Sequence, residues 1–222
     1  MEKGDSNITA ARPDNLDDAL DHLERDGLVA FPTETVWGLA ARAQSSAAVA
    51  NLMSFKGRAA GQPVSVLIDD AERLAKLGVA EGPVLRALTS AFWPGPLTIV
   101  AAAPVPNPFA PGICGPDGGV GFRCSDHPLA ALLVGEAFRR GLGPLTATSF
   151  NRSGKTAVEN VTAALLLASE SDTPAVIVLV PGALDASRLP PSTVLDIRGE
   201  APKVLRQGAV EPAALRSVLD RF

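Results

Sequence analysis

The chain has few of the residues that build metal sites and disulfide frameworks. Its 222 residues include two cysteines, Cys114 and Cys124, and two histidines, His22 and His127. The cysteines are not in a C-x-x-C spacing and no histidine cluster lies beside them, so the sequence argues against a zinc site or any other metal site. We expect both cysteines to be reduced thiols.

The sequence also lacks a basic excess and a long apolar run. Lys and Arg number 20 against 24 Asp and Glu, a formal net charge of −4, so any contact with nucleic acid needs a local basic site. The first residues are polar without a signal-peptide core, and no later apolar run is long enough to span a bilayer. We therefore expect a soluble, cytoplasmic protein with no membrane partner.

Apolar runs alternate with segments of helical periodicity, which predicts a single α/β domain at 14–222 after a polar tail at 1–13. Strands are predicted at 28–32, 64–68, 97–103, 120–123, 145–149, 175–180, 192–197 and 203–206. Helices are predicted at 14–25, 45–55, 71–77, 84–92, 128–140, 161–169 and from 211 onward. The Pro- and Gly-rich segment 104–119 predicts a long loop. Because so many helices alternate with the strands, we expect the helices to cover the sheet.

Polar side chains follow several of the predicted strands, where ligand sites of α/β sheets form. Thr33 follows the first strand, Arg123 ends a middle strand, Ser149 and Asn151 mark the end of the next, and Ser192 opens a later one. Hydroxyls, an amide and a guanidinium suit a polar, anionic small molecule. No nucleophile–base pair accompanies them, so catalytic residues stay unassigned and a transfer reaction that depends on positioning is favoured.

Several motifs occur together and in one order along the chain. They are FPTETVWGLA at 31–40, KGR at 56–58, FWPGPLT at 92–98, VGFR at 120–123, SFNRSG at 149–154, STV at 192–194 and LRQG at 205–208. In this the chain resembles the YrdC-like threonylcarbamoyl-AMP synthases, over nearly its whole length from about Leu16 onward. The resemblance implies a twisted mixed sheet covered by helices, with a concave ligand cavity.

The resemblance also implies a reaction. Enzymes of this family join L-threonine, bicarbonate and ATP into threonylcarbamoyl-AMP and pyrophosphate, and the adenylate serves the formation of N6-threonylcarbamoyladenosine in tRNA. It implies Mg²⁺ with the ATP, a downstream threonylcarbamoyl transferase complex as partner, and tRNA as a possible contact. By resemblance the threonine-binding residues are Thr33, Ser65, Arg123, Ser149 and Ser192. By the same reasoning the ATP-binding residues are Lys56, Arg58, Asn151 and Arg206.

Most of these residues have a structural alternative. Lys56 and Arg58 could complement the helix macrodipole, Thr33 could form a turn with its own backbone, and Arg123 could pair with an internal carboxylate. Ser65 could face another backbone group. Trp37 stands where the family usually has tyrosine, and core packing explains it equally well.

The chain departs from the family pattern at Ala59, Gly119, Phe150 and the segment 155–160. Gly119 stands where a hydroxyl residue is common, and Phe150 is expected either to stack on adenine or to crowd it. Two other functions are compatible with the resemblance. One is a noncatalytic RNA- or ribosome-associated paralogue, and the other is a carbamoyl-transfer module related to hydrogenase maturation.

Overall fold

The computed structural model describes residues 13–57, 62–171, 175–179 and 189–222. The helices within these ranges are α1 (Leu16–Glu24), α2 (Ser46–Lys56), α3 (Arg73–Lys76), α4 (Pro83–Phe92), α5 (Pro128–Arg139), α6 (Val161–Ser169) and α7 (Pro212–Leu219). The strands are β1 (Leu28–Phe31), β2 (Gly38–Ala40), β3 (Ser65–Ile68), β4 (Leu97–Ala102), β5 (Gly119–Cys124), β6 (Leu145–Ser149), β7 (Val176–Val178), β8 (Thr193–Asp196) and β9 (Lys203–Arg206).

These strands form one mixed sheet in the order β7-β1-β2-β6-β3-β5-β4-β8-β9. The pairs β1–β7, β3–β5 and β4–β8 are parallel, and the remaining neighbours are antiparallel. The predicted α/β class with a mixed sheet is therefore confirmed. Because sequential strands are dispersed through the sheet, segments far apart in the chain become neighbours.

Two apolar cores cover the sheet. Leu16, Leu20 and Leu23 lie on one face of α1 and pack with α5 and β1 in one core. Residues of α2 and α4 pack in the other core with alternate strand residues such as Ile99 and Phe122. The two-residue period of the strands sends their apolar side chains to both layers, and burying them supplies most of the stabilisation of the fold.

The ends of α2 follow the sequence closely. Ser45 has extended backbone, and its Oγ accepts a hydrogen bond from the Ala48 N–H at 3.3 Å, as expected of an N-cap. Gly57 ends the helix in the left-handed region at φ 57°. The Ser45 hydroxyl also donates to Asp26 Oδ1 at 2.7 Å, and Arg42 pairs with the same carboxylate. Asp26 therefore ties the start of α2 to the turn after α1.

The structure adds one element that the sequence pattern does not predict. Gly38–Ala40 forms β2, which pairs with β1 and β6 inside the FPTETVWGLA motif. The predicted strand at 175–180 is shorter, at Val176–Val178, and residue 180 lies outside the described residues. None of the described helices has the length and apolar character that crossing a bilayer requires.

Candidate functional site

A cavity of about 490 Å³ lies on the face of the sheet that carries the α1–α5 core, since Phe31 and Leu67 belong to both. Its floor comes from alternate residues of neighbouring strands, because successive strand residues point to opposite faces. On β5 these are Gly119, Gly121 and Arg123. All the strands except β7 contribute lining residues, so residues from most of the chain meet in the cavity.

Seven of the nine residues expected to bind ligands line this cavity. They are Thr33, Ser65, Arg123, Ser149, Asn151, Ser192 and Arg206. Lys56 is not among the lining residues, and Arg58 lies outside the described residues, as does Ala59. The Ser65 hydroxyl lies over Gly121, where a Cβ would be 2.8 Å from its Oγ. The absence of a side chain at 121 therefore leaves room for this hydroxyl in the cavity.

Arg123 is held from one side by a buried polar cluster. Its Nη2 donates to Glu34 Oε1 and to Thr35 Oγ1, both at 2.7 Å, and the Ser125 hydroxyl donates to Glu34 Oε2. The internal ion pair that the sequence offered as an alternative is therefore present. Arg123 Nε is nevertheless buried and has no hydrogen-bond partner among the described residues. A guanidinium that is fixed at one edge and keeps an unused N–H can bind an anionic group in the cavity as a hydrogen-bond donor.

A second guanidinium faces the same end of the cavity. Arg206 donates from Nε and Nη2 to the carbonyl oxygen of Ser192, at 3.1 and 2.8 Å, and from Nη2 to its hydroxyl at 3.1 Å. Burial, with a smaller effect from the charge of Arg123, lowers the pKa of Arg206 below its ordinary value. No described carboxylate pairs with Arg206. Arg123 is buried whereas Arg206 is more exposed, and of the two only Arg123 pairs with a described carboxylate. Two neighbouring cations that share a single carboxylate favour an anionic ligand.

Thr33 and Ser192 are fixed by neighbouring polar groups. Thr33 Oγ1 donates to the Val36 carbonyl at 2.6 Å and accepts from the Thr35 N–H at 3.2 Å, so it forms the turn that the sequence offered as its alternative role. The Ser192 and Thr98 hydroxyls share a hydrogen bond of 2.9 Å. Both Thr33 and Ser192 line the cavity, and these bonds hold their hydroxyls in place.

Lys56 supports the loop after β6. Its Nζ donates to the Ser149 carbonyl and to Asn151 Oδ1, both at 2.6 Å, and the side chain is buried. Asn151 in turn donates to the carbonyls of Arg152, at 3.0 Å, and Lys155. In this structure Lys56 positions Asn151 from behind the cavity wall.

Two aromatic residues that the sequence analysis singled out lie in the core. Phe150 is fully buried and stacks on Phe55 with 5.5 Å between ring centroids, so it neither stacks on a base in the cavity nor crowds it. Trp37 is also fully buried in this core. Both face away because the neighbouring positions, Val36 and Ser149, point into the cavity.

The structure adds residues that the sequence did not single out. Glu34 is 6% exposed and pairs with Arg123. Thr98, Lys155 and Arg198 also line the cavity. The strand period could have indicated Thr98, which lies opposite Arg123 in the β4–β5 register. Arg198 follows β8 in a segment with no motif, so only the three-dimensional structure identifies it.

The chain is similar to named proteins over most of its length. The Sua5/YciO/YrdC family model, described as "Telomere recombination", matches residues 21–208. A threonylcarbamoyl-AMP synthase of Bacillus subtilis is 33% identical over 89% of this chain, and the chain spans 54% of that relative. A Mycobacterium tuberculosis protein named putative threonylcarbamoyl-AMP synthase is 33% identical over 90% of this chain and 87% of its own length.

The chain is also similar to a solved structure. The crystal structure of P. abyssi Sua5 complexed with L-threonine superposes with a TM-score of 0.76 at 29% identity, over 92% of this chain and 57% of the other. The expected mixed α/β architecture is thus found in a solved relative. With 188 of its 222 residues matched by the family model, this chain belongs to the Sua5/YciO/YrdC family.

Proposed function

We propose that this chain is a threonylcarbamoyl-AMP synthase, which forms threonylcarbamoyl-AMP from L-threonine, bicarbonate and ATP and releases pyrophosphate. The observation that carries the proposal is the pair Arg123 and Arg206 at one end of a polar cavity. Arg123 keeps a buried, unused N–H, and Arg206 has no described carboxylate partner. Relatives of that name and a homologue complexed with L-threonine support the same activity.

The substrates would divide between the two guanidiniums. The Arg123 fork suits the carboxylate of threonine, whose polar groups would meet the hydroxyls of Ser65, Thr33 and Ser192. Arg206 then lies where negative charge develops on the α-phosphate. This division supports assigning Thr33, Ser65, Arg123, Ser149 and Ser192 to threonine, and Arg206 with Asn151 to ATP.

The reaction balances without a protein nucleophile. The threonine amine and bicarbonate give a carbamate and water, and a carbamate oxygen then bonds to the α-phosphorus as the bond to pyrophosphate breaks. Positioning three anionic partners and screening their charge is what this cavity can supply. Arg206 would stabilise the charge on the α-phosphoryl oxygens, and Arg123 would hold the amino acid so that its carbamate faces the phosphorus.

Magnesium would enter with the nucleotide. The described residues contain no cluster of three or more His, Cys, Asp or Glu side chains that could hold a metal ion. Mg²⁺ commonly keeps several waters and is carried by substrate phosphates rather than by a protein cage, and bound there it neutralises phosphate charge. The product would supply tRNA modification through a transferase, and direct tRNA contact would need a local basic surface, since the net charge is −4.

Pyrophosphate release tests the proposal. Purified protein with Mg²⁺ and ATP should release pyrophosphate only when L-threonine and bicarbonate are both present. Release that does not change on adding them would contradict the assignment. L-serine lacks only the methyl group, and its specificity constant should be lower than that of L-threonine by a factor that corresponds to about 1–3 kcal/mol of transition-state free energy. Equal constants for the two amino acids would argue against a pocket that senses the methyl group.

A further inference from the structure

Arg198 lines the cavity at the end away from Arg123. On β5, Gly119 and Arg123 both point into the cavity, and since they are four positions apart, they are separated by about 13 Å along the strand. Arg198 lies against Gly119, since a Cβ at 119 would be 2.6 Å from both its Cζ and its Nη1. The glycine therefore provides the space that the guanidinium of Arg198 occupies.

The guanidinium of Arg198 is fixed along its edges. Asp196 accepts from its Nε at 2.9 Å and from its Nη2 at 2.6 Å. Asp117 accepts from Nη2 at 2.7 Å through its carboxylate and from Nη1 at 3.0 Å through its carbonyl. Guanidinium N–H bonds lie in the plane of the group, so these partners hold the plane and leave its faces free. The guanidinium lies against Gly119, and the residue lines the cavity.

The charges at this end do not suit a phosphate. Hydrogen bonds from Arg198 lower the pKa of Asp117 and of Asp196, so both carboxylates stay ionised at neutral pH. Arg198 thus faces two anions, in contrast to Arg206, which has no described carboxylate partner. A planar guanidinium whose positive charge is already balanced by two carboxylates suits the flat face of an aromatic ring, because arginine stacks on such faces.

We propose that Arg198 is the platform on which the adenine base of ATP stacks. The inference rests on the proposed function, because threonine at Arg123 and the α-phosphate near Arg206 direct the nucleoside toward the Gly119 end. The distance of about 13 Å along β5 is comparable with the length of an adenosine monophosphate group. Arg198 is then a base-recognition residue, with Asp117 and Asp196 as its positioning residues and Gly119 as the residue that makes room for it.

Binding of two probes separates base stacking from phosphate contact. Calorimetry would measure the affinity for ATP. Competition against ATP would measure the affinity for inorganic tripolyphosphate, which has the phosphates and no base. Arg198→Ala should weaken ATP binding on the order of tenfold and leave tripolyphosphate within about twofold. Arg198→Lys, which keeps the charge and loses the plane, should lose as much ATP affinity as Arg198→Ala. Equal losses for both probes, or unchanged ATP affinity in Arg198→Ala, would overturn the proposal.

The chain offers a matched control. Arg140 also pairs with two aspartates, Asp17 and Asp21 at 2.6 and 2.5 Å, and it does not line the cavity. Arg140→Ala should bind ATP as the wild type does, and thermal melts of both variants would confirm that they are folded. A similar loss of ATP affinity in Arg140→Ala would mean that the effect follows from losing a surface ion pair, which would also overturn the proposal.

A double variant tests whether positions 119 and 198 share one space. Gly119→Ser should weaken ATP binding about tenfold, because the new side chain displaces Arg198. In the Arg198→Ala background, Gly119→Ser should lower the ATP affinity by less than a further twofold. Losses that multiply would show that the two positions act independently and would overturn the inference. These binding tests do not need turnover, whereas failure of the proposed function would appear as wild-type protein without threonine-dependent pyrophosphate release.

Discussion

Arg123 combines a structural ion pair with an unused N–H. The pair with Glu34 holds the guanidinium in one orientation, and burial of both side chains makes that orientation rigid. A ligand carboxylate would therefore meet a guanidinium that is already oriented, which lowers the cost of binding. Glu34 acts in this scheme as a positioning residue, and its carboxylate also partly balances the charge of Arg123.

Arg123→Ala should weaken L-threonine binding by about 2–5 kcal/mol, because a charge-assisted bond to a buried anion is lost. ATP affinity should change much less. Calorimetry with each substrate measures both effects. Arg42→Ala, which removes an ion pair with Asp26 that lies outside the cavity, is the control for loss of an arginine. Normal threonine affinity in a folded Arg123→Ala protein would remove Arg123 from the threonine site.

At the scale of elements, the C-terminal end of α2 and the loop after β6 hold the cavity wall. α2 ends at Lys56, which bonds to Asn151 and to the Ser149 carbonyl, while its first turn is tied to Asp26 through Ser45. Phe150 and Phe55 stack between the two elements. A change at either end of α2 should therefore reach the cavity through packing.

Ser45→Ala should lower the free energy of unfolding by about 0.5–2 kcal/mol through loss of the N-cap. The Ser45 hydrogen bond is the largest cause of the lowered pKa of Asp26. A carboxyl whose pKa is lower in the folded state than in the unfolded state stabilises the fold at pH values above the unfolded-state pKa. This contribution is lost as the pH falls through the folded-state pKa. The cost of Ser45→Ala should thus be full at pH 7 and smaller below about pH 4. Urea unfolding at both pH values measures it, and an equal cost at both would contradict the link to Asp26.

Phe150→Ala should lower the free energy of unfolding by about 3–5 kcal/mol, because it opens a cavity against Phe55. Phe150→Leu should cost less. We expect any effect on the Michaelis constant for ATP to follow the loss of stability across the two variants. A Michaelis constant for ATP that changed in Phe150→Leu without a loss of stability would instead bring Phe150 back to the nucleotide site.

On the scale of the whole molecule, the sequence predicts the alternation of elements well and their spatial relations poorly. Long apolar runs such as β4 and capped helices such as α2 have strong local signals, and their bounds agree within a few residues. β2 has three small or aliphatic residues and forms because β1 and β6 pair with it, which is a tertiary cause. The burial of Glu34 and the place of Arg198 depend likewise on residues about 80 to 90 positions away.

Cys124 can report on opening of the whole domain. Its side chain is 2% exposed, and burial together with nearby carboxylates raises the pKa of its thiol to about 12. In a Cys114→Ser background, a thiol reagent at pH 8 should modify Cys124 only when the domain opens. ATP alone at about a hundred times its dissociation constant should slow this reaction about a hundredfold, since a bound ligand stabilises the native state. Rapid labelling of native Cys124, or labelling that saturating ATP does not slow, would contradict this account.

The dispersed strand order has a consequence for synthesis of the protein. Thr33 and Arg206 line one cavity although 173 positions separate them, and β4 pairs with β8. A nascent chain therefore cannot gather the substrate-binding residues until β8 and β9 have left the ribosome. Contacts between distant segments also form slowly, because each one closes a long loop. Translation would thus yield binding competence in a single late step, and a product truncated before residue 192 would have no intact site.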